Sequence, residues 1–247
     1  MNFHAKNVCL SGGIHIFLPA ALRYGPANGA LPDYISEDAM NFPGFFAAAP
    51  AMTLRDPLAA FLGVSKDGVI TYTYADAVKL AGHSCPTVAG AYLMVRSGLG
   101  HLYGKEMPER GGVEVYLRDP REQGTTGVIA AVATLLTGAA PETGFGGIGS
   151  HRRFARRDLL HFDAPIDGLL ALRRCDSGRG VVLDLDPTIV PSDPEMQVLF
   201  PRAVAERADE NEQARFATLW QDRVEQMLIR HGDNPQFVQI REWMAAA

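Results

Sequence analysis

Apolar and polar positions alternate at different periods along the chain, and the changes of period mark its elements. "GVITYTYADAVKLAG" (68–82) opens with β-branched and tyrosine alternation, which predicts a strand, and then turns into a short helix over "YADAVKLAG". "TVAGAYLMVRSGLGHLYG" (87–104) sets small and large apolar residues at helical spacing, with Pro86 suited to a first helical turn. "GGVEVYLRD" (111–119) alternates with period two and reads as a strand. "TTGVIAAVATLLTG" (125–138) is uniformly apolar, with threonines in front and Gly138 behind, and predicts a buried helix capped at both ends. "HRRFARRDLLHFDA" (151–164) and "GLLALRRCDSGRGVVLDLDP" (168–187) together read as three strands. "ADENEQARFATLWQDRVEQMLIRHGD" (208–233) predicts an amphipathic helix with an acidic start, its apolar stripe formed by Phe216, Leu219, Trp220, Val224, Met227 and Leu228.

The start of the chain behaves differently. Residues 1–65 carry Gly and Pro punctuation that forbids long helices, while their aromatics and alanines argue for a folded segment. Within it, "MTLRDPLAAFLG" predicts a short helix begun at Asp56 and Pro57 and closed by Gly63. The expected organisation is a loop-rich N-terminal segment (1–65) packing on the core, an α+β domain (66–190) and a C-terminal helical extension (191–247). The core order, helix–strand–helix–three strands, belongs to a mixed sheet with helices on one face.

Composition narrows the function classes. Of 247 residues, 47% are hydrophobic and 21% charged, the balance of a globular chain, and the net charge of −5 gives no general attraction to nucleic acid or anionic membranes. Three widely spaced cysteines, Cys9, Cys85 and Cys175, make a disulfide framework unexpected and favour a reducing, cytoplasmic setting. No apolar run approaches the roughly 20 residues of a membrane helix. The first 22 residues, broken by Ser11, Gly12, Gly13 and His15, read as part of the fold and not as a signal peptide.

Candidate chemistry concentrates in "AGHSCP". His83 and Cys85 are soft ligands suited to zinc or another divalent transition metal. A cysteine just before a helix also sits at the positive end of the macrodipole, which favours the thiolate. A buried cysteine beside a helix-capping histidine would give the same letters. "HRRFARRD" (151–158) gathers four arginines. As a strand it would place Arg153 on one face and Arg152 and Arg156 on the other, so it is either a charged surface edge or a clamp in which Arg152 and Arg153 hold an anionic substrate. "GFGGIG" (144–149) satisfies the letters of a dinucleotide fingerprint, but it follows a helix and leads to a strand, the reverse of the required order. No P-loop, nucleophile elbow or H-E-x-x-H occurs.

The "GHSCP" stretch opening an Ala/Gly-rich helix, followed by a strand and an apolar helix ending in "LLTG", resembles the FmdE-like family of formylmethanofuran dehydrogenase over about residues 78–165. The resemblance implies a helix–strand–helix–three-strand fold and a zinc or similar site at His83 and Cys85, and it implies no firm activity. Relatives tend to carry a further cysteine where the strand hands over to the apolar helix. This chain has "RDPREQGTTG" there, without cysteine. Asp119 or Glu122 would then supply oxygen ligands, or His15, Cys9 or Cys175 would arrive from other segments, or no zinc is held. Three readings stay open: a metal enzyme acting on a small anionic or carbonyl substrate, a metal or haem carrier in which Cys85 ligates the iron, and a non-catalytic partner subunit. The apolar helices make a homodimer the expected assembly.

Overall fold

In the computed structural model, residues 42–244 are described, and they belong to one compact unit. Its first part is a small layer. α1 (Phe45–Ala48) leads into β1 (Met52–Arg55), and Asp56 then caps α2 (Pro57–Phe61), accepting from the N–H groups of Leu58 and Ala59 at 2.9 and 3.2 Å. The 52–63 stretch is therefore a strand followed by a helix, where a helix alone was expected. β2 (Val69–Tyr72) pairs antiparallel with β1. The period change expected at Thr73 is present: Thr73 and Asp76 form a capping box that starts α3 (Tyr74–Ala81), and Gly82 ends it at φ 75°.

The centre is α4 (Pro86–Tyr103), β3 (Val113–Leu117), α5 (Thr126–Thr137), β4 (Leu160–His161), β5 (Leu170–Arg174) and β6 (Gly180–Leu185). This is the helix–strand–helix–three-strand order read from the sequence, in an α+β architecture. The sheet order is β4-β3-β5-β6 plus a further strand, with β3 and β4 parallel and the remaining pairs antiparallel. α4 packs across β5 and β6, and α5 packs beside it. Alternation along β3 turns Val113, Val115 and Leu117 into this helix-covered core. The opposite sheet face holds a smaller cluster of Ala164, Ile166, Ala171 and Val182, flanked by Tyr116 and Trp243.

The small residues of α4 explain its close seat on the sheet. A Cβ at Gly98 would lie 2.7 Å from a Leu172 methyl and 3.0 Å from a Leu183 methyl. Gly98→Leu is therefore expected to lower stability by about 1–3 kcal/mol through overpacking, read as a drop in urea midpoint with unchanged slope. A midpoint equal to wild type would mean that α4 does not sit this close.

Beyond residue 190, α6 (Met196–Val204) and α7 (Glu210–Glu225) form an aromatic-faced pair, with Phe200 stacked on Trp220 at 6.0 Å. Of the stripe expected on the long helix, Leu219, Val224, Met227 and Leu228 are buried. The chain then passes through one π turn (Gln226–Arg230) into β7 (Val238–Trp243), which pairs antiparallel with β6 as the fifth strand. The C-terminal stretch thus contributes a strand where only helix was expected. No helix among the described residues is long and apolar enough to cross a membrane.

Candidate functional site

His83 and Cys85 lie in the short link between α3 and α4. Gly82 takes the left-handed conformation that closes α3, and Cys85, in an extended conformation, is the cap of α4. The Cys85 Sγ accepts from the Val88 N–H at 3.4 Å and is largely buried, whereas His83 is exposed. The His83 Nδ1 lies 2.9 Å from the Ala81 carbonyl oxygen. A carbonyl only accepts, so a hydrogen bond here puts the proton on Nδ1 and, in the neutral tautomer, leaves the lone pair on Nε2.

The residue between them is held from the C-terminal part of the chain. The Ser84 carbonyl accepts from Trp220 Nε1 at 3.0 Å and from Gln221 Nε2 at 3.2 Å, and the Ser84 hydroxyl meets the Tyr74 hydroxyl at 2.9 Å. Burial raises the Tyr74 phenol above its ordinary value, so it stays protonated throughout the neutral range. Tyr74 itself lies inside an aromatic chain, 5.0 Å from Phe46 and 5.7 Å from Tyr92. The helix link is thus clamped on both sides of Ser84, although nothing in the local sequence announces Trp220 and Gln221 as its partners.

The completing ligands suggested by the sequence divide into two groups. His15 and Cys9 lie outside the described residues. Asp119 is engaged by Arg118, with Nε at 3.0 Å and a second nitrogen at 3.2 Å. Glu122 is strongly exposed beside Arg121, and Cys175 is exposed at the turn between β5 and β6. Among the described residues no three His, Cys, Asp or Glu side chains converge as a metal cluster. Asp119, Glu122 and Cys175 therefore do not join both His83 and Cys85.

The arginine segment is a succession of turns, not the strand expected there; only Leu160–His161 at its end pairs with β3. The reason is local and nonlocal at once. Gly147 packs so tightly that a Cβ would lie 2.3 Å from the Arg152 carbonyl oxygen, and Arg152 and Phe154 sit at φ 50° and 63°. Such a turn cannot remain extended. "GFGGIG" accordingly folds as a tight loop bridged at Ile148 and Arg153, and no helix opens from it.

That turn gives the four arginines separate tasks. Arg156 is buried and donates to Asp56 Oδ1 at 2.7 Å and to the Arg110 carbonyl, while Arg110 reaches Asp56 Oδ2 at 2.9 Å. Arg157 donates to the Gly144 carbonyl at 3.3 Å. Arg152 is exposed. Arg153 lies over the rings of Phe154 and Phe61, at 4.6 and 5.7 Å, on the wall of an open cleft of about 730 Å³. Arg153 thus lines a cleft, whereas Arg152 does not. Arg55 shares the cleft, and no sequence signal had pointed to it.

No protein-family model matches the chain, and no curated protein matches it. Among solved structures, the chain is similar to a tungsten formylmethanofuran dehydrogenase FmdE-like protein from Syntrophus aciditrophicus, at 15% identity and a TM-score of 0.37, over 71% of this chain and 74% of that one.

Proposed function

We propose that this chain is a metal-binding protein of the FmdE-like type, with His83 and Cys85 as two ligands of one zinc or similar divalent metal. The observation that carries the reading is the 2.9 Å contact of His83 Nδ1 with the Ala81 carbonyl oxygen: an Nδ1–H donating there leaves the Nε2 lone pair for a metal, two residues from a helix-capping sulfur. The clamp on the Ser84 carbonyl supports it, because it fixes the link that carries both donors. The "GHSCP" resemblance points the same way. The remaining ligands come from segments other than Asp119, Glu122 and Cys175.

When bound, such a metal supplies Lewis acidity toward a carbonyl or carboxylate oxygen. The chain's own part is to hold His83 in one tautomer and Cys85 at the positive end of α4.

Elemental analysis and a visible spectrum test the reading, on protein purified without chelator or affinity nickel. Wild type is expected to hold about one zinc per chain without colour. His83→Ala and Cys85→Ala are each expected to lose affinity by more than the about 10–100-fold typical of supporting residues. A metal-free, colourless wild type after zinc supplementation overturns the reading. A Soret band would assign Cys85 to haem instead.

A further inference from the structure

The cleft beside Arg153 is assembled from three distant stretches, and one buried ion cluster ties all three together. Asp56 follows Arg55, Arg110 follows Glu109, and Arg156 lies three residues beyond Arg153. The carboxylate of Asp56 bonds both Arg110 and Arg156, and the Arg156 guanidinium also bonds the Arg110 carbonyl. Residues 55 and 109 are further joined by a parallel bridge, with the Arg110 N–H donating to the Arg55 carbonyl at 2.8 Å. A charge cluster of this kind is expensive to bury and adds little net stability. What it does achieve is to fix the relative placement of the cleft's walls.

The walls carry a distinctive set of groups. Phe61, 56% exposed, lies 5.3 Å from Phe154. Around the two rings stand Arg55, Arg153, Asp67 and Glu109. The ion pairs beneath engage Asp56, Arg110 and Arg156, and leave these four without an ion-pair partner among the described residues. Two of the cleft residues, Asp67 and Phe154, have positive φ without being glycine, at 59° and 63°. Backbone of that kind costs of order 1–3 kcal/mol per residue and collects at ligand sites.

From this set we infer that the cleft is a binding site for a small zwitterion with a flat apolar group, of the class of aromatic α-amino acids. The wall itself offers two guanidinium groups and two carboxylates, above a buried cluster whose two arginines and one aspartate add one positive charge. A ligand with only negative charge would meet Asp67 and Glu109, and one with only positive charge would meet Arg55 and Arg153. A ligand carrying one of each uses both pairs, while Phe61 and Phe154 receive its ring. The inference is independent of any metal at His83 and Cys85.

L-Phenylalanine is the probe, titrated by calorimetry against the full chain before and after treatment with chelator. Saturable binding in both preparations is expected, with equal affinity. 3-Phenylpropionate, which lacks the ammonium, and 2-phenylethylamine, which lacks the carboxylate, should each bind at least about tenfold more weakly, the equivalent of one charged hydrogen bond. Arg153→Gln and Phe61→Ala, both at exposed positions, should each weaken L-phenylalanine by about tenfold with unchanged circular dichroism. No saturable binding at millimolar concentration overturns the proposal. So does equal affinity for 3-phenylpropionate, wild-type affinity in both variants, or binding that vanishes with chelator. A protein that is metal-free as purified and stays so after zinc supplementation, yet binds L-phenylalanine, overturns the metal reading alone.

Discussion

Asp56→Ala is expected to destabilise the protein by about 3–5 kcal/mol, the usual cost of removing one partner from a buried charge cluster. Its carboxylate is only 5% exposed and serves two guanidinium groups and two backbone N–H groups at once. Without it, Arg156 stays buried with a net charge, and its Nε already has no hydrogen-bond partner. Burial already lowers the Arg156 guanidinium below its ordinary value, and the charge of Asp56 opposes that fall. The cap of α2 is lost in the same step, a further cost of about 1 kcal/mol. Asp56→Asn retains a side-chain oxygen for the cap, so it should lie between wild type and Asp56→Ala. Arg156→Met in the Asp56→Ala background should cost less than the two single changes together, since the buried Arg156 charge is then gone and only the part-exposed Arg110 lacks its partner. Urea unfolding at pH 7 measures all four. Equal stability of Asp56→Ala and wild type would mean that the cluster is solvated.

The same carboxylate predicts an acid limb. Burial pushes Asp56 up, but the Arg110 hydrogen bond, the Arg156 charge and the Ala59 N–H outweigh it and hold the carboxyl below its ordinary value. A carboxyl titrating lower in the folded chain than its unfolded value of about 3.9 stabilises fully above that pH, and the contribution is lost as pH falls through the folded-state value. The gap between wild type and Asp56→Ala should therefore be constant between neutral pH and about pH 5 and narrow below about pH 4. A gap that widens toward acid would contradict the sign.

How far the sequence led depends on whether the deciding contact was local. The switch from strand to helix before Tyr74, the small residues of α4 and the Gly138 stop of α5, at φ 75°, are all written within a few residues, and each was legible. The expectation for 151–158 failed because its shape depends on Arg156 reaching Asp56, 100 residues away, and on a turn that places Arg152 and Phe154 at positive φ. Neither leaves a period in the letters. The His83–Cys85 spacing was visible, whereas the hold of Trp220 and Gln221 on Ser84 spans more than 130 residues and was not. The same reason hid Arg55 and Glu109 as neighbours: their adjacency is created by a single bridge between distant loops.

The stretch past the long helix is the sharpest instance, and it carries the second large effect. "FVQIREWM" offers only a short, polar alternation, which a sequence alone does not distinguish from a frayed tail. Pairing decides it: Gly180 to Leu185 of β6 match Trp243 to Val238 of β7 residue by residue. Phe237, fully buried at the head of that strand, joins the main core, and its carbonyl accepts from the Asp186 N–H at 3.0 Å. Phe237→Ala is expected to cost about 3–5 kcal/mol through the cavity it leaves. Met244→Ala, one residue past the strand and 92% exposed, should stay within about 0.5 kcal/mol of wild type. Ending the chain at Asp233 removes the whole strand and exposes the β6 edge, so it should abolish cooperative unfolding. A truncated chain that still unfolds in one sharp transition, with Phe237→Ala near wild type, would show that the sheet is complete with four strands.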